Sequence, residues 1–150
     1  MAETVGEAIR VGALTIRFHV DADESAGSVS VFECDVPANA RMPAPHSHDA
    51  FDETAFGLDG VTTFTVGGER RELRAGESLF IPRRVVHAFD NAGERDARFL
   101  SVIAPGLLGS SYFREIGAVL GGGGPPDFEK IGEVMRRHGL TPAPPPGAQA

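Results

Sequence analysis

The chain has a single cysteine, a single tyrosine, no tryptophan and no long apolar run. A lone Cys34 closes no intramolecular disulfide and cannot build a cysteine-rich zinc site, so any metal here must be held by histidine and carboxylate. Positive charge is also scarce. The 14 Lys and Arg against 21 Asp and Glu give a net charge of −7, too little basic surface for phosphate backbones or anionic headgroups. The longest apolar stretches are strand-sized, and MAETVGEAIR at the amino end lacks both the basic and the apolar segment of a signal peptide. The expectation is a cytoplasmic protein with no nucleic acid and no membrane partner. Its 150 residues suffice for one core.

What the sequence does contain, from Ile9 to Ile103, is a series of short β-branched or aromatic runs broken by Gly, Pro, Asn or Asp. That is the grammar of an antiparallel barrel or sandwich of eight or so strands. Turn signals stand at Asp21 to Gly27, Asp59-Gly60, Gly67-Gly68 and Asn91 to Gly93. Within the runs, Val29 and Val31 alternate with Ser30 and Phe32, and Phe64 and Val66 with Thr63 and Thr65. Neither face is cleanly polar, which fits a closed barrel whose interior lines a pocket and whose exterior packs on another sheet or subunit.

After Pro105 the pattern changes. SSYFREIGAVL and PPDFEKIGEVMRRHG read as two short helices separated by GGGG. Asp127 is placed to cap the second, and Arg136, Arg137 and His138 suit the negative end of its dipole before a Gly139 stop. The expected organisation is a flexible terminus over 1–8, the barrel over 9–104, a helical segment over 105–140, and a Pro- and Ala-rich disordered tail over 141–150.

The segment PAPHSHDAFDETAFGLDG carries the chemistry. His46 and His48, two apart in an extended stretch, present both imidazoles on one face, where they can reach one ion. Glu53 follows after enough chain to turn and return a carboxylate. Its neighbour Asp52 is the alternative ligand, and adjacent strand residues face opposite ways, so one of the two serves. His87, in IPRRVVHAFDN, lies on a separate strand that a barrel would bring across from the first. Three neutral nitrogens and one carboxylate suit Fe, Mn, Ni, Co, Cu or Zn as a divalent ion and leave positions open for other ligands.

These residues fall into two spaced motifs, and there the chain resembles the cupin superfamily. The first motif is Gly, five residues, HxH, three or four residues, Glu, six residues and Gly. His46, His48, Glu53 and Gly60 are in register and Ala40 replaces the opening Gly. The register to Gly60 favours Glu53 over Asp52. The second motif is Gly, five residues, Pro, one residue, Gly, two residues, His, three residues and Asn. Gly76, Pro82, His87 and Asn91 match, and Arg84 replaces the middle Gly. Both lost glycines mark positions where φ > 0 is often needed. The resemblance implies an all-β fold, a double-stranded β-helix or jelly-roll barrel, with the two short helices at its carboxyl end. It also implies a homodimer, in keeping with the two apolar faces of the first strands.

Among cupins, the segment from Phe51 to Phe89 is similar to single-domain bacterial members of the quercetin 2,3-dioxygenase type. That likeness implies a mononuclear dioxygenase that takes dioxygen and a small phenolic or enolic, flavonol-like substrate. Glu53 would then be both ligand and the base that accepts the substrate proton. Other metal-dependent cupin reactions (isomerase, lyase, thiol dioxygenase) and a non-catalytic small-molecule binder are the alternatives. Among the remaining residues, His19 reads as exposed or paired, His138 as a helix-end group and Cys34 as a small core residue. Phe32, Phe51, Phe64, Phe80, Phe89 and Phe99 are core residues of which some can line an aromatic-binding cavity. Arg83 and Arg84 read as solvated rim charges, with guidance of an anionic substrate as the second reading.

Overall fold

The computed structural model describes residues 6–42 and 44–143. Two antiparallel sheets face each other. One has six strands: β1 (Ile9–Val11), β2 (Leu14–Val20), β3 (Ser30–Val36), β10 (Ala97–Ala104), β5 (Asp52–Asp59) and β8 (Ser78–Ile81), in that spatial order. The other has five: β11 (Leu140–Pro142), β4 (His46–His48), β9 (His87–Asp90), β6 (Val61–Val66) and β7 (Glu69–Arg74). Helices α1 (Ser110–Leu120) and α2 (Phe128–Arg137) precede β11.

Period-two alternation sets the inward faces. On β3, Ser30, Phe32, Cys34 and Val36 are buried while Val31, Glu33 and Asp35 face out. On β10, Ala97, Phe99, Ser101 and Ile103 point in. Phe64 from the facing sheet meets Phe99 edge-on with ring centroids 5.1 Å apart. Each such fully buried ring contributes roughly 1.5–3 kcal/mol. Outside the barrel, Arg17 and Arg98 both bind Asp35, at 2.7 Å each.

The chain passes from the six-stranded to the five-stranded sheet at Gly60, whose φ is +64°. A Cβ built there would sit 2.4 Å from the Asp96 carbonyl oxygen, so only glycine fits. The two motif positions without glycine behave differently. Ala40 needs no left-handed conformation, because the preceding Asn39 takes it (φ 67°). Arg84 does adopt φ 67°, and from there its N–H donates to the His48 carbonyl at 2.7 Å.

The carboxyl end follows the sequence reading through both helices and departs from it afterwards. Asp127 accepts from Lys130 N at 3.1 Å and caps α2, and His138 closes it. Leu140–Pro142, expected at the junction of the helical segment and a disordered tail, instead forms β11 and pairs with β4 across the register Leu140↔His48 to Pro142↔His46. The hydrophobic effect selects this: Leu140 is 1% exposed, in a stretch too short to show periodicity. The tail expectation for residues 144–150 and the flexible-terminus expectation for residues 1–5 lie outside the described residues. Gly6 is tied down, its N–H donating to the Phe18 carbonyl at 3.0 Å. Among the described residues no helix is long and apolar enough to cross a membrane.

Candidate metal centre

His46 and His48 project from one face of β4, as an extended HxH must. His87, expected across the barrel, is on the neighbouring strand: β9 pairs with β4, and His46 and His87 are register partners. Glu53 comes from the opposite sheet, on β5. The candidate centre therefore lies between the two sheets. His46, His48, Glu53 and His87 are each under 10% exposed. The three imidazoles offer nitrogens that all lie within 4.8 Å of one another, a grouping that could hold a metal ion. Glu53 Oε1 lies 3.9 Å from His48 Nε2.

The protonation pattern suits a cation. Burial, and next the proximity of His87 and His48, hold His46 well below the ordinary imidazole range. Burial, followed by His87, pushes His48 down to about 3. Both are neutral at physiological pH. The Nδ1–H of His46 donates to the Ala44 carbonyl (3.2 Å) and that of His87 to the Val85 carbonyl (3.0 Å). These bonds select the tautomer that leaves Nε2 with its lone pair free. The Nδ1 of His48 is buried without a partner, while its ring stacks on Phe51 at 4.5 Å. Buried nitrogen lone pairs close together beside a carboxylate fit a divalent transition metal.

Asp52, the alternative ligand, points the other way. It accepts from Arg83 N at 2.8 Å and from the Arg83 guanidinium, and these bonds hold its carboxyl below the usual range. That pairing neutralises Arg83 at the surface rather than aiming it at the cavity. His19 pairs with Glu33 at 2.8 Å and His138 with Glu115 at 2.7 Å, so neither joins the centre. Cys34 lines the cavity, but burial and then the Asp35 and Glu53 charges push its thiol up, opposite to what a nucleophile needs.

One residue that sequence reasoning missed supports the centre. Ser101 on β10, fully buried, donates its hydroxyl to Glu53 Oε2 at 2.6 Å. Its signal was a lone hydroxyl in the inward phase Phe99, Ser101, Ile103. The cavity beside the centre has a volume of about 60 Å³ and is mostly apolar, with Phe32, Phe64, Phe89 and Phe99 on the barrel side. Phe51 packs behind His48, and Phe80 is exposed outside. The cavity's other wall is one the sequence did not single out: Tyr112, Phe113 and Ile116 of α1, Met135 of α2 and Leu140 of β11.

Comparison with known proteins agrees with this geometry. A family model described as "Cupin domain" matches residues 32–103. The chain is similar to a quercetin 2,3-dioxygenase of Bacillus subtilis (strain 168), 28% identical over 91 residues. Those residues are 61% of this chain but only 26% of that protein, so the chain spans about a quarter of its relative's length. Among solved structures, it is similar to the polyketide cyclase RemF from Streptomyces resistomycificus at 27% identity and a TM-score of 0.60, covering 69% of this chain and 80% of that one. It shares the fold of a predicted oxalate decarboxylase from Thermotoga maritima at 20% identity and a TM-score of 0.62, covering 70% of this chain and 96% of that one. Residues 32–103 are a cupin domain, and the two facing sheets with their buried histidine triad are a cupin fold.

Proposed function

We propose that this protein is a metal-dependent cupin enzyme, a mononuclear dioxygenase acting on a small phenolic or enolic, flavonol-like compound. The observation that carries the reading is the meeting of three buried imidazoles and one carboxylate from opposite sheets at an apolar, aromatic-walled cavity. His46, His48, His87 and Glu53 would hold one divalent ion (Fe, Mn, Ni, Co, Cu or Zn). Such an ion supplies Lewis acidity and, if redox-active, dioxygen chemistry. The protein's own residues supply the rest. Ser101 fixes Oε2 of Glu53 and leaves Oε1 to take a proton from a substrate hydroxyl, with no other carboxylate lining the cavity among the described residues. The phenylalanines orient a ring and exclude water. The likeness to quercetin 2,3-dioxygenase supports an oxygen-dependent reaction.

Size restricts the substrate. The cavity's volume of about 60 Å³ is well below the roughly 150 Å³ that accommodates benzene in an engineered apolar cavity. Occupation by a ring therefore requires the cavity to enlarge. The likeness to a polyketide cyclase, which extends over 80% of that chain, favours as second reading a metal-dependent proton transfer on an enolisable carbonyl compound, without dioxygen. Oxygen-electrode assays on protein loaded with each metal, against flavonols and enolisable diketones, separate the two. The first reading expects uptake with at least one redox-active metal. No uptake with any metal, with product formed anaerobically, would favour the second, and a ligand retained unchanged would favour a binding protein. The reading includes a cytoplasmic homodimer. Exposed Phe56, Leu58 and Phe80 on the outer face of the six-stranded sheet support the pairing, which light scattering tests.

A further inference from the structure

Tyr112 is the one tyrosine of the chain, 4% exposed, on the α1 wall of the cavity. Its ring is packed edge-on against Phe113 at 5.0 Å and His138 at 5.5 Å. Burial raises its hydroxyl above the ordinary tyrosine range, and among the described residues no hydrogen bond offsets that effect. A buried phenol normally finds a partner, and one left without it costs stability. Apart from the four residues of the metal centre and the Cys34 thiol, Tyr112 carries the one polar side chain lining this cavity among the described residues. The α1 helix lies outside residues 32–103, the stretch that the cupin-domain model matches.

We propose that the Tyr112 hydroxyl is a ligand-binding group that hydrogen-bonds one oxygen of a small hydroxylated aromatic or enolised carbonyl compound whose other oxygen lies at the histidine and glutamate centre. This rests on the reading of that centre as a metal site for phenolic or enolic compounds. An unpaired donor in an apolar cavity discriminates by chemistry: a compound with a matching second oxygen satisfies it, and a compound without one leaves it unpaired. The ligand class narrows from any phenol or enol to one bearing two separated oxygen functions.

The test uses the full chain loaded with zinc, which does not turn over dioxygen, and titrates phenol, resorcinol and hydroquinone by calorimetry into wild type and Tyr112→Phe. The expected result is that wild type binds at least one of the two diols about tenfold tighter than phenol, the worth of one hydrogen bond. Tyr112→Phe loses that preference, with phenol affinity, zinc content and melting temperature unchanged or raised. A tyrosine label at 13Cζ gives a single resonance because the chain has one tyrosine. That resonance shifts with the preferred diol and not with phenol. Equal affinity for phenol and both diols in wild type would overturn the role of Tyr112 while leaving the metal reading intact. Loss of zinc and of stability in Tyr112→Phe would show a structural hydroxyl and overturn it also. No binding of any phenol by zinc-loaded wild type would overturn both this proposal and the phenolic reading beneath it.

Discussion

Ser101 Oγ and Glu53 Oε2 lie 2.6 Å apart, a hydroxyl from β10 holding one carboxylate oxygen from β5 inside the barrel. The bond divides the carboxylate into an anchored oxygen and one, Oε1, on the side of His48. Ser101→Ala removes the anchor and leaves Oε2 buried without its donor. The expected outcome is a loss of about 1–3 kcal/mol in stability and a fall of about tenfold or more in metal affinity, the usual effect of removing a partner behind a ligand. Chelator competition measures the second. Unchanged affinity would remove Ser101 from the site.

The metal-free protein should weaken in mild acid. His46 and His48 have folded values below the ordinary 6.5, with His48 at about 3, so between these limits the unfolded chain binds more protons than the folded one. Stability is then full above about pH 6.5 and is lost as pH falls toward 3, at up to about 1.4 kcal/mol per pH unit for each histidine. Thermal melts in excess chelator from pH 8 to 4.5 should be flat above neutrality and decline below it. His48→Gln should decline less steeply. A melting temperature constant down to pH 4.5 would contradict the burial of His46 and His48 in neutral form.

Arg84 occupies the position of the missing motif glycine at φ 67°. For a residue with Cβ this conformation costs roughly 1–2 kcal/mol, and glycine's greater freedom in the unfolded chain returns part of the gain. Arg84→Gly is expected to raise stability by about 0.5–1 kcal/mol. Metal content should not change, because the bond from this residue's backbone N–H to the His48 carbonyl is retained. Equilibrium denaturation measures the difference. Destabilisation would mean that the arginine side chain contributes more than its backbone strain.

Leu140 closes the cavity and its strand holds the outer edge of β4, with Asp49 N donating to the Gly139 carbonyl at 2.9 Å and Thr141 Oγ1 to Asp49 at 2.6 Å. Leu140→Ala should cost about 2–5 kcal/mol, as buried leucine truncations do. It should also speed amide exchange in β4. Exchange confined to α2, with β4 unchanged, would show that β11 does not support the histidine strand.

How much of this was legible in the sequence depended on range. The shared face of His46 and His48 and the opposite facing of Asp52 and Glu53 follow from local alternation and hold in the structure, as does the core position of Cys34. So does the cap of α2 at Asp127. The side-by-side placement of His87 and His46 needs the pairing of β9 with β4, across 41 positions of chain that no local pattern encodes. Ser101 against Glu53 needs the packing of β10 on β5. Leu-Thr-Pro was invisible as a strand because three residues ahead of a Pro-rich tail show no period, and its partner lies 92 residues away. Nor could periodicity choose among the phenylalanines, since both faces of the barrel strands carry them: Phe64 is 1% exposed and Phe80 57%.

The claim on which the rest depends is that His46, His48, Glu53 and His87 together hold one divalent ion, and metal analysis after reconstitution tests it most directly. The full chain, equilibrated with each of the candidate metals and dialysed, should retain close to one ion. His48→Ala and His87→Ala, checked by circular dichroism for an intact sheet, should each retain far less, with Glu53→Gln in between. Full retention by the histidine variants, or none by wild type with any metal, would contradict the account.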